Sequence, residues 1–224
     1  MKRHIQIIMS LVLMLSLMLS LTGCGNRNKE IAFEPDSSAV YVCDDGTLLC
    51  ATVEDFSESY YDIDELKSFV EEQVIEYNAD KAGVSEAYEQ EESEGDLELP
   101  IAIKDCYTVD NNAVLILSCD DYSDYYEINN LYEYSDVITS VETTTVKAMK
   151  EVGETVNAGL FEPDGSAVSV DKVMKKNKYH VVKVSGTGTV YVQGIIKYVS
   201  ADVVVNDEAT AATVSGTESY IVYK

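Results

Sequence analysis

The chain has 224 residues and a formal net charge of −24 at pH 7, with 40 acidic and 16 basic side chains. So acidic a surface repels phosphate backbones, which argues against nucleic acid as a partner. The two histidines, His4 and His180, are too few for a zinc site built on several histidines, and no nucleophile, phosphate-loop or cofactor motif is present. We therefore assign no catalytic residue, no metal site and no cofactor.

The first 23 residues have the pattern of an export signal. Lys2 and Arg3 give a basic start, and an apolar run at 5–21 is long enough to enter a translocon as a helix. The run closes on Leu21, Thr22, Gly23 and Cys24. These residues resemble the lipobox of bacterial type II signal peptides, in which a peptidase cuts before a cysteine that carries diacylglycerol.

The resemblance implies cleavage between Gly23 and Cys24 and a lipid anchor on Cys24. Diacylglycerol on that cysteine would hold the protein on the outer face of the bacterial cell membrane, in an extracytoplasmic location. Residues 24–32 would then form a lipidated tether. The alternative is that the apolar run stays in the membrane as an uncleaved span.

Charge divides the remaining chain into two parts. Residues 30–146 carry 31 acidic side chains against three lysines, whereas residues 147–224 carry nine side chains of each sign. The division predicts two structural units, an acidic unit at 33–146 and a neutral unit at 147–224.

The acidic unit begins with a predicted β-hairpin and a helix. Strands at 38–43 and 48–56 flank Asp45 and Gly46, a strong signal for a two-residue turn. Asp62 then predicts a helix N-cap, because Glu65 follows three residues on and apolar side chains recur at helical spacing to Asn78.

A second hairpin and a second helix complete the predicted acidic unit. The glutamate-rich segment at 86–98 lacks apolar periodicity and predicts a mobile loop. Strands at 101–109 and 113–120 flank a predicted four-residue turn at 110–113. Ser123 predicts the N-cap of a short tyrosine-rich helix that runs through Leu131 or Tyr132. The predicted order of elements is ββαββα.

The neutral unit consists of predicted strands between glycine and asparagine turns. Turns are predicted at 164–165, 186–188, 206–207 and Gly216, and strands at 167–173, 178–184, 190–199, 203–205, 211–214 and 220–223. This spacing predicts a small antiparallel all-β unit, so the fold class is α+β, with an N-terminal ββαββα unit followed by this β unit.

Four cysteines follow Cys24: Cys43, Cys50, Cys106 and Cys119. An even number in an exported protein permits two disulfides in any of three connectivities, whereas an anaerobic organism would leave the thiols reduced. Within each predicted hairpin, the turn places both cysteines on one face, with Cys43 opposite Leu48 and Cys106 opposite Leu117.

Tyrosines crowd one short acidic segment and form the candidate binding surface. Phenol rings among carboxylates suit a sugar, a glycan strand or a basic peptide, and Tyr60 and Tyr61 could extend the surface. The alternative is that helical spacing packs the rings in the core with their hydroxyls at its rim. The candidate residues are Tyr122, Tyr125, Tyr126, Tyr132 and Tyr134.

Two segments, 60–67 and 220–224, are loosely similar to uncharacterised exported lipoproteins of Gram-positive anaerobes, and this resemblance implies no activity. Location and composition favour a non-enzymatic binding or accessory protein of the cell envelope. Its expected partner is an envelope protein, a glycan or a basic peptide. Two alternatives stay open: an envelope hydrolase that uses carboxylates, and a small solute-binding component.

Overall fold

The computed structural model describes residues 33–89, 99–134 and 137–224. The predicted export signal, the lipobox with Gly23 and Cys24, and the whole tether at 24–32 lie outside these ranges, as do residues 90–98 of the predicted acidic loop. Within the described ranges, none of the helices has the length and apolar character needed to cross a membrane.

Among the described residues, one large, mostly antiparallel sheet of 11 strands organises the fold. Together with the helices beside it, the sheet confirms the prediction of a fold that contains both helices and strands. The strand order is β3-β4-β2-β1-β8-β11-β9-β6-β7, with β10 beside β11 and β5 beside β8. The strands are β1 Ala39–Val42, β2 Leu48–Asp55, β3 Ala102–Val109, β4 Asn112–Cys119, β5 Ile138–Thr145, β6 Leu160–Phe161, β7 Ala167–Val168, β8 His180–Val192, β9 Ile196–Ser200, β10 Val204–Val205 and β11 Ala211–Tyr223.

In the described ranges, four α-helices and one short 3₁₀ turn accompany the sheet. The helices are α1 Ile63–Ala82, α2 Tyr122–Ile128, α3 Val146–Glu151 and α4 Val170–Val173, and the 3₁₀ turn is Leu131–Glu133. Along the chain, two strands precede α1 and two more strands precede α2.

The 13-residue strand β8 joins the two halves of the chain. Its first half pairs with β5 and its last four residues pair in parallel with β1, both on one edge, while β11 covers the other edge. Both β1 and β5 come from the predicted acidic unit, and β8 comes from the predicted neutral unit. The hydrogen-bonded sheet therefore continues across the predicted boundary.

Three glycines that predict turns lie inside strands instead. Gly186 and Gly188 are in β8, and Gly216 is in β11 opposite Gly186. A Cβ on Gly186 would lie 2.1 Å from the carbonyl oxygen of Val137, and a Cβ on Gly188 would lie 2.8 Å from the side chain of Ile138. Gly186 and Gly188 are needed because the start of β5 crosses β8 closely, whereas a Cβ on Gly216 would meet the side chain of Asp202. The strands predicted at 178–184 and 190–199 become one long strand and β9.

Other predicted elements in the second half also differ. The sequence does not predict β5, whose eight residues find a partner only in β8. The strand predicted at 167–173 is two residues of β7 followed by α4, because Ser169 caps that short helix by accepting a hydrogen bond from the backbone N–H of Lys172.

The two hairpins are present, but both registers are shifted from the prediction. In the first, Val42 pairs with Leu48, and the N–H of Cys43 donates to Thr47 O at 2.9 Å. In the second, Asp110 and Asn111 form a tighter turn with φ of 47° and 67°, so Cys106 faces Leu115 rather than Leu117. Both residue types tolerate positive φ, which permits the two-residue turn.

Helix α1 begins at its predicted cap, where Asp62 Oδ1 accepts from the N–H of Asp64 at 2.8 Å. It continues past Asn78 to Ala82 and ends at Gly83, whose φ of 71° suits a left-handed C-cap. The buried Asn78 side chain donates to the carbonyl oxygens of Glu86 and Ile101 and accepts from the N–H of Ile101. Asn78 therefore ties the helix to the start of β3.

Part of the predicted acidic loop is packed rather than mobile. Ala87 is 2% exposed, and its carbonyl oxygen accepts from the N–H of Ile103 at 2.8 Å. Because glutamates dominate 86–98, the sequence pattern does not predict that Ala87 is buried or that its backbone bonds to the sheet.

The N-cap of helix α2 lies two residues earlier than predicted. Asp121, not Ser123, is the N-cap, and its Oδ1 accepts from the N–H of Ser123 at 2.8 Å. The helix ends at Ile128, since Asn129 donates its side-chain amide to Tyr125 O and Asn130 takes a φ of 51°.

The core has two sides. Helices α1 and α2 cover one face of the sheet, where Val70 and Val74 of α1 join buried side chains from both halves of the chain. On the opposite face, one cluster forms around Val114 and Ile116 in the first half, and another packs under α3 in the second half.

Candidate functional site

A cavity of about 390 Å³ lies where α2 and the chain that follows it cross the sheet. This volume falls within the range of pockets that hold small organic ligands. Strands β1, β2 and β8 form the floor, α2 forms one wall, and residues after α2 complete the rim. The cavity is therefore built by both halves of the chain.

The floor includes residues from all three strands. Gly188 of β8 has no side chain, and β1 and β2 contribute Val40 and Thr52. Any side chain at Gly188 would have to displace Ile138, whose Cγ1 lies 2.8 Å from the position of the missing Cβ. Gly188 therefore leaves room for Ile138, which itself lines the cavity.

Two buried tyrosines of α2 form the wall. Tyr122 and Tyr125 are 3% and 5% exposed, and their ring centroids are 5.6 Å apart. The hydroxyl of Tyr125 lies 2.8 Å from Thr52 Oγ1, and the hydroxyl of Tyr122 donates to the carbonyl oxygen of Ile138 at 3.1 Å. Each ring is therefore fixed to the floor or the rim by a hydrogen bond.

Burial raises the pKa of both tyrosine hydroxyls well above the usual range. Burial disfavours the charged phenolate, so both groups stay neutral at physiological pH. The wall consequently offers neutral hydroxyl groups and aromatic carbon, and no negative charge.

The rim carries the polar groups that a ligand could reach first. Asn129 lines it, as do Glu54 and Tyr134, and Tyr134 is 62% exposed. Glu54 is the one carboxylate among the described residues that line the cavity, and none of those residues is a lysine, arginine or histidine. This lining favours a neutral or cationic ligand over an anion.

The structure brings together three of the five candidate tyrosines. Tyr122, Tyr125 and Tyr134 line the cavity, while the half-buried Tyr126 packs against the core and Tyr132 lies in the 3₁₀ turn. Tyr60 and Tyr61 do not line this cavity: Tyr61 stacks on Phe56, and Tyr60 packs edge-on against Tyr61. The tyrosine pattern located the wall, but no sequence signal pointed to Thr52 or Gly188 as the floor.

The thiols of Cys50, Cys106 and Cys119 are free in the described structure. Burial, followed by a hydrogen bond with Cys119, raises the pKa of Cys50. The register shift of the first hairpin places Cys43 on the opposite face from Cys50, whereas Cys106 and Cys119 share one face. In the described structure Cys50, Cys106 and Cys119 are not paired with one another, and a disulfide that involves any of them stays a prediction.

The described residues include no group of three or more histidine, cysteine, aspartate or glutamate side chains that could hold a metal ion. Comparison of the chain with known protein families, with curated proteins and with solved structures finds no match.

Proposed function

We propose that the protein is a lipid-anchored, extracytoplasmic binding or accessory protein of the bacterial cell envelope, and that the cavity beside α2 holds its ligand. The observation that carries the proposal is the lining of this cavity: fixed neutral tyrosine hydroxyls, Thr52 and Asn129 surround an apolar interior, with one carboxylate at the rim.

The ligand that this lining suits is a neutral or cationic organic group, such as a sugar unit of a glycan or a side chain of a basic peptide. Tyrosine rings stack on apolar faces of such groups, and their hydroxyls supply hydrogen bonds. Glu54 would attract a cation at the entrance. A hydrolase that uses two carboxylates is less favoured, because Glu54 has no second carboxylate among the described lining residues.

Two rim variants test the ligand site, because both residues are exposed and leave the core intact. Tyr134→Ala should weaken binding of N-acetylglucosamine oligomers or lysine-containing peptides, measured by NMR titration, since it removes an aromatic face. Glu54→Gln should weaken the cationic peptide alone. Tyr88→Ala is the control, because Tyr88 is exposed and does not line the cavity. The core residue Tyr179 would not serve as a control. Titration shifts that persist unchanged in both rim variants would place any binding elsewhere.

The lipid anchor rests on the lipobox and needs its own experiment. Cys24→Ala should abolish incorporation of labelled palmitate and release the protein from the membrane fraction, because no thiol would remain for diacylglycerol. A protein that stays in the membrane after this change would show that the apolar run at 5–21 is an uncleaved span.

The division into an acidic ββαββα unit and a neutral β unit is also part of the proposal. Its support is the charge division and the order of the elements, while β8 joins the two parts through one sheet. Hydrogen exchange in mild denaturant tests it: strands β2 to β4 should exchange as a group separate from β8 and β11. A single cooperative opening of all strands would argue for one unit.

A further inference from the structure

A second surface lies where the chain passes from β2 into α1. The rings of Phe56 and Tyr61 stack with centroids 4.9 Å apart, and Tyr60 packs edge-on against Tyr61, also at 4.9 Å. Tyr60 is 74% exposed and Tyr61 is 45% exposed, so much of this aromatic area contacts solvent. We call Phe56, Tyr60 and Tyr61 the aromatic cluster.

The backbone around the aromatic cluster is held by hydrogen bonds on both sides. The N–H of Phe56 donates to Asn111 O at 2.7 Å in the turn between β3 and β4, and the N–H of Tyr61 donates to Glu58 O at 3.1 Å. Asp62, the next residue, caps α1. Because the rings are already positioned, a partner would lose little free energy to ordering this surface.

An open groove of about 320 Å³ runs beside the cluster. Phe56 and Tyr61 form one side, Asp110 and Asn111 form the other, and Ile63 and the 44% exposed Val109 contribute apolar surface. None of the described residues lines both this groove and the cavity beside α2. The groove is therefore a separate place for a partner to bind.

Exposed carboxylates surround the aromatic cluster. Among the described residues, no lysine or arginine lies within 4.0 Å of the carboxylates of Asp55, Glu58, Asp62 or Asp110. Tyr60, then partial burial, and then the charges of Glu58 and Asp55 raise the pKa of the Tyr61 hydroxyl, so both carboxylates are near enough to affect that hydroxyl. Aromatic faces beside unpaired negative charge favour a cation.

We propose that the aromatic cluster and its carboxylates dock a basic polypeptide segment in which arginine or lysine lies next to an aliphatic side chain. The guanidinium or ammonium group would stack on Tyr60 or Tyr61 and approach Glu58 or Asp55. The aliphatic side chain would cover the apolar surface of the groove. The aromatic cluster is a separate surface from the cavity, and the proposal does not depend on what the cavity holds.

The experiment titrates the full chain with labelled, capped pentapeptides of sequence GRLRG and GELEG and with an oligomer of N-acetylglucosamine, and follows fluorescence anisotropy or NMR shifts. GRLRG should bind with a Kd below about 1 mM at low salt and weaken as salt rises. GELEG should not bind. Tyr60→Ala with Tyr61→Ala should weaken GRLRG at least about tenfold, whereas Tyr88→Ala, at another exposed tyrosine, should not.

A matched charge pair separates local from general attraction. Asp55→Asn with Glu58→Gln should weaken GRLRG several-fold, and Asp207→Asn with Glu208→Gln, which removes the same charge on the turn between β10 and β11, should leave it nearly unchanged. The proposal would be overturned if the two charge variants lost equal affinity for GRLRG, or if Tyr88→Ala lost as much affinity as the paired Tyr60→Ala and Tyr61→Ala change. Binding of the glycan in place of GRLRG would overturn it too. Absence of GRLRG binding up to about 1 mM would overturn it as well.

Discussion

Replacement of Asn78 by leucine should destabilise the protein more than any other single polar substitution in α1. The Asn78 side chain is fully buried and makes three hydrogen bonds to backbone groups. Its Nδ2 donates to Glu86 O and to Ile101 O at 2.7 Å each, and its Oδ1 accepts from the N–H of Ile101 at 3.1 Å. Leucine has a similar volume but offers no donor or acceptor.

The magnitude follows from the groups left without a partner. The two bonds to Ile101 are buried, whereas water can reach the carbonyl of Glu86. An unsatisfied buried backbone group costs about 1–3 kcal/mol, so two such groups predict a loss of about 2–6 kcal/mol in the free energy of unfolding. Equilibrium unfolding in urea, followed by far-UV circular dichroism, measures the change.

A control sets the scale of the Asn78 experiment. Asn177 is exposed, and its side chain accepts one hydrogen bond from Lys150. Asn177→Leu should therefore change the unfolding free energy by less than about 0.5 kcal/mol. A loss below about 1 kcal/mol for Asn78→Leu would refute the prediction, because it would mean that the three hydrogen bonds do not hold α1 to β3.

Three further predictions concern backbone strain, pH and thiol reactivity. Gly186→Ala should destabilise the protein by more than Gly83→Ala in urea unfolding, since both have positive φ but only Gly186 has backbone within 2.1 Å of the added Cβ; equal losses would contradict the close approach of β5. A hydrogen bond from Lys81 lowers the pKa of Glu127, so the stability that this bond contributes is present above the usual pKa of 4.5 and is lost as pH falls through the lowered pKa. Lys81→Met should therefore flatten the dependence of the unfolding free energy on pH in this acid range, measured by urea unfolding. Cys50 should resist iodoacetamide at pH 8 until the protein unfolds, because burial keeps its thiol protonated and inaccessible, and rapid native labelling would refute this.

Elements with signals inside a few residues were predictable. Asp62 marks the start of α1 through the same side-chain bonds that its sequence context suggests, and the turn at Asp110 and Asn111 joins two strands within one residue of their predicted bounds. Predicted elements were wrong where one residue type is compatible with two different local structures. Glycine permits a turn, but it also permits the close crossing of β5 over β8 at Gly186, and only the tertiary structure distinguishes the two.

The candidate site depends on contacts between distant parts of the chain. Tyr125 was predictable as part of a tyrosine-rich helix, but its partner Thr52 lies 73 residues earlier and Gly188 lies on a strand in the other half. Their convergence requires β1 to pair with β8 in parallel, a pairing that no local pattern encodes. Sequence reasoning therefore found one wall of the cavity and none of its floor.

The two proposed binding surfaces are close along β2 yet separable by experiment. Thr52 and Glu54 line the cavity, and Phe56, two residues beyond Glu54, belongs to the aromatic cluster. At about 3.3 Å per residue, Thr52 and Phe56 are roughly 13 Å apart, so a long ligand could reach both surfaces. Short ligands should not.

Each short ligand should therefore respond to one set of variants. Tyr134→Ala should weaken a cavity ligand and leave GRLRG unaffected, while the paired Tyr60→Ala and Tyr61→Ala change should do the reverse. Combining all three changes should give additive losses for a longer ligand that joins both groups if the surfaces act independently. If either variant alone abolished binding of both short ligands, the cavity and the aromatic cluster would have to be parts of one site, and the assignment of separate partners would be wrong.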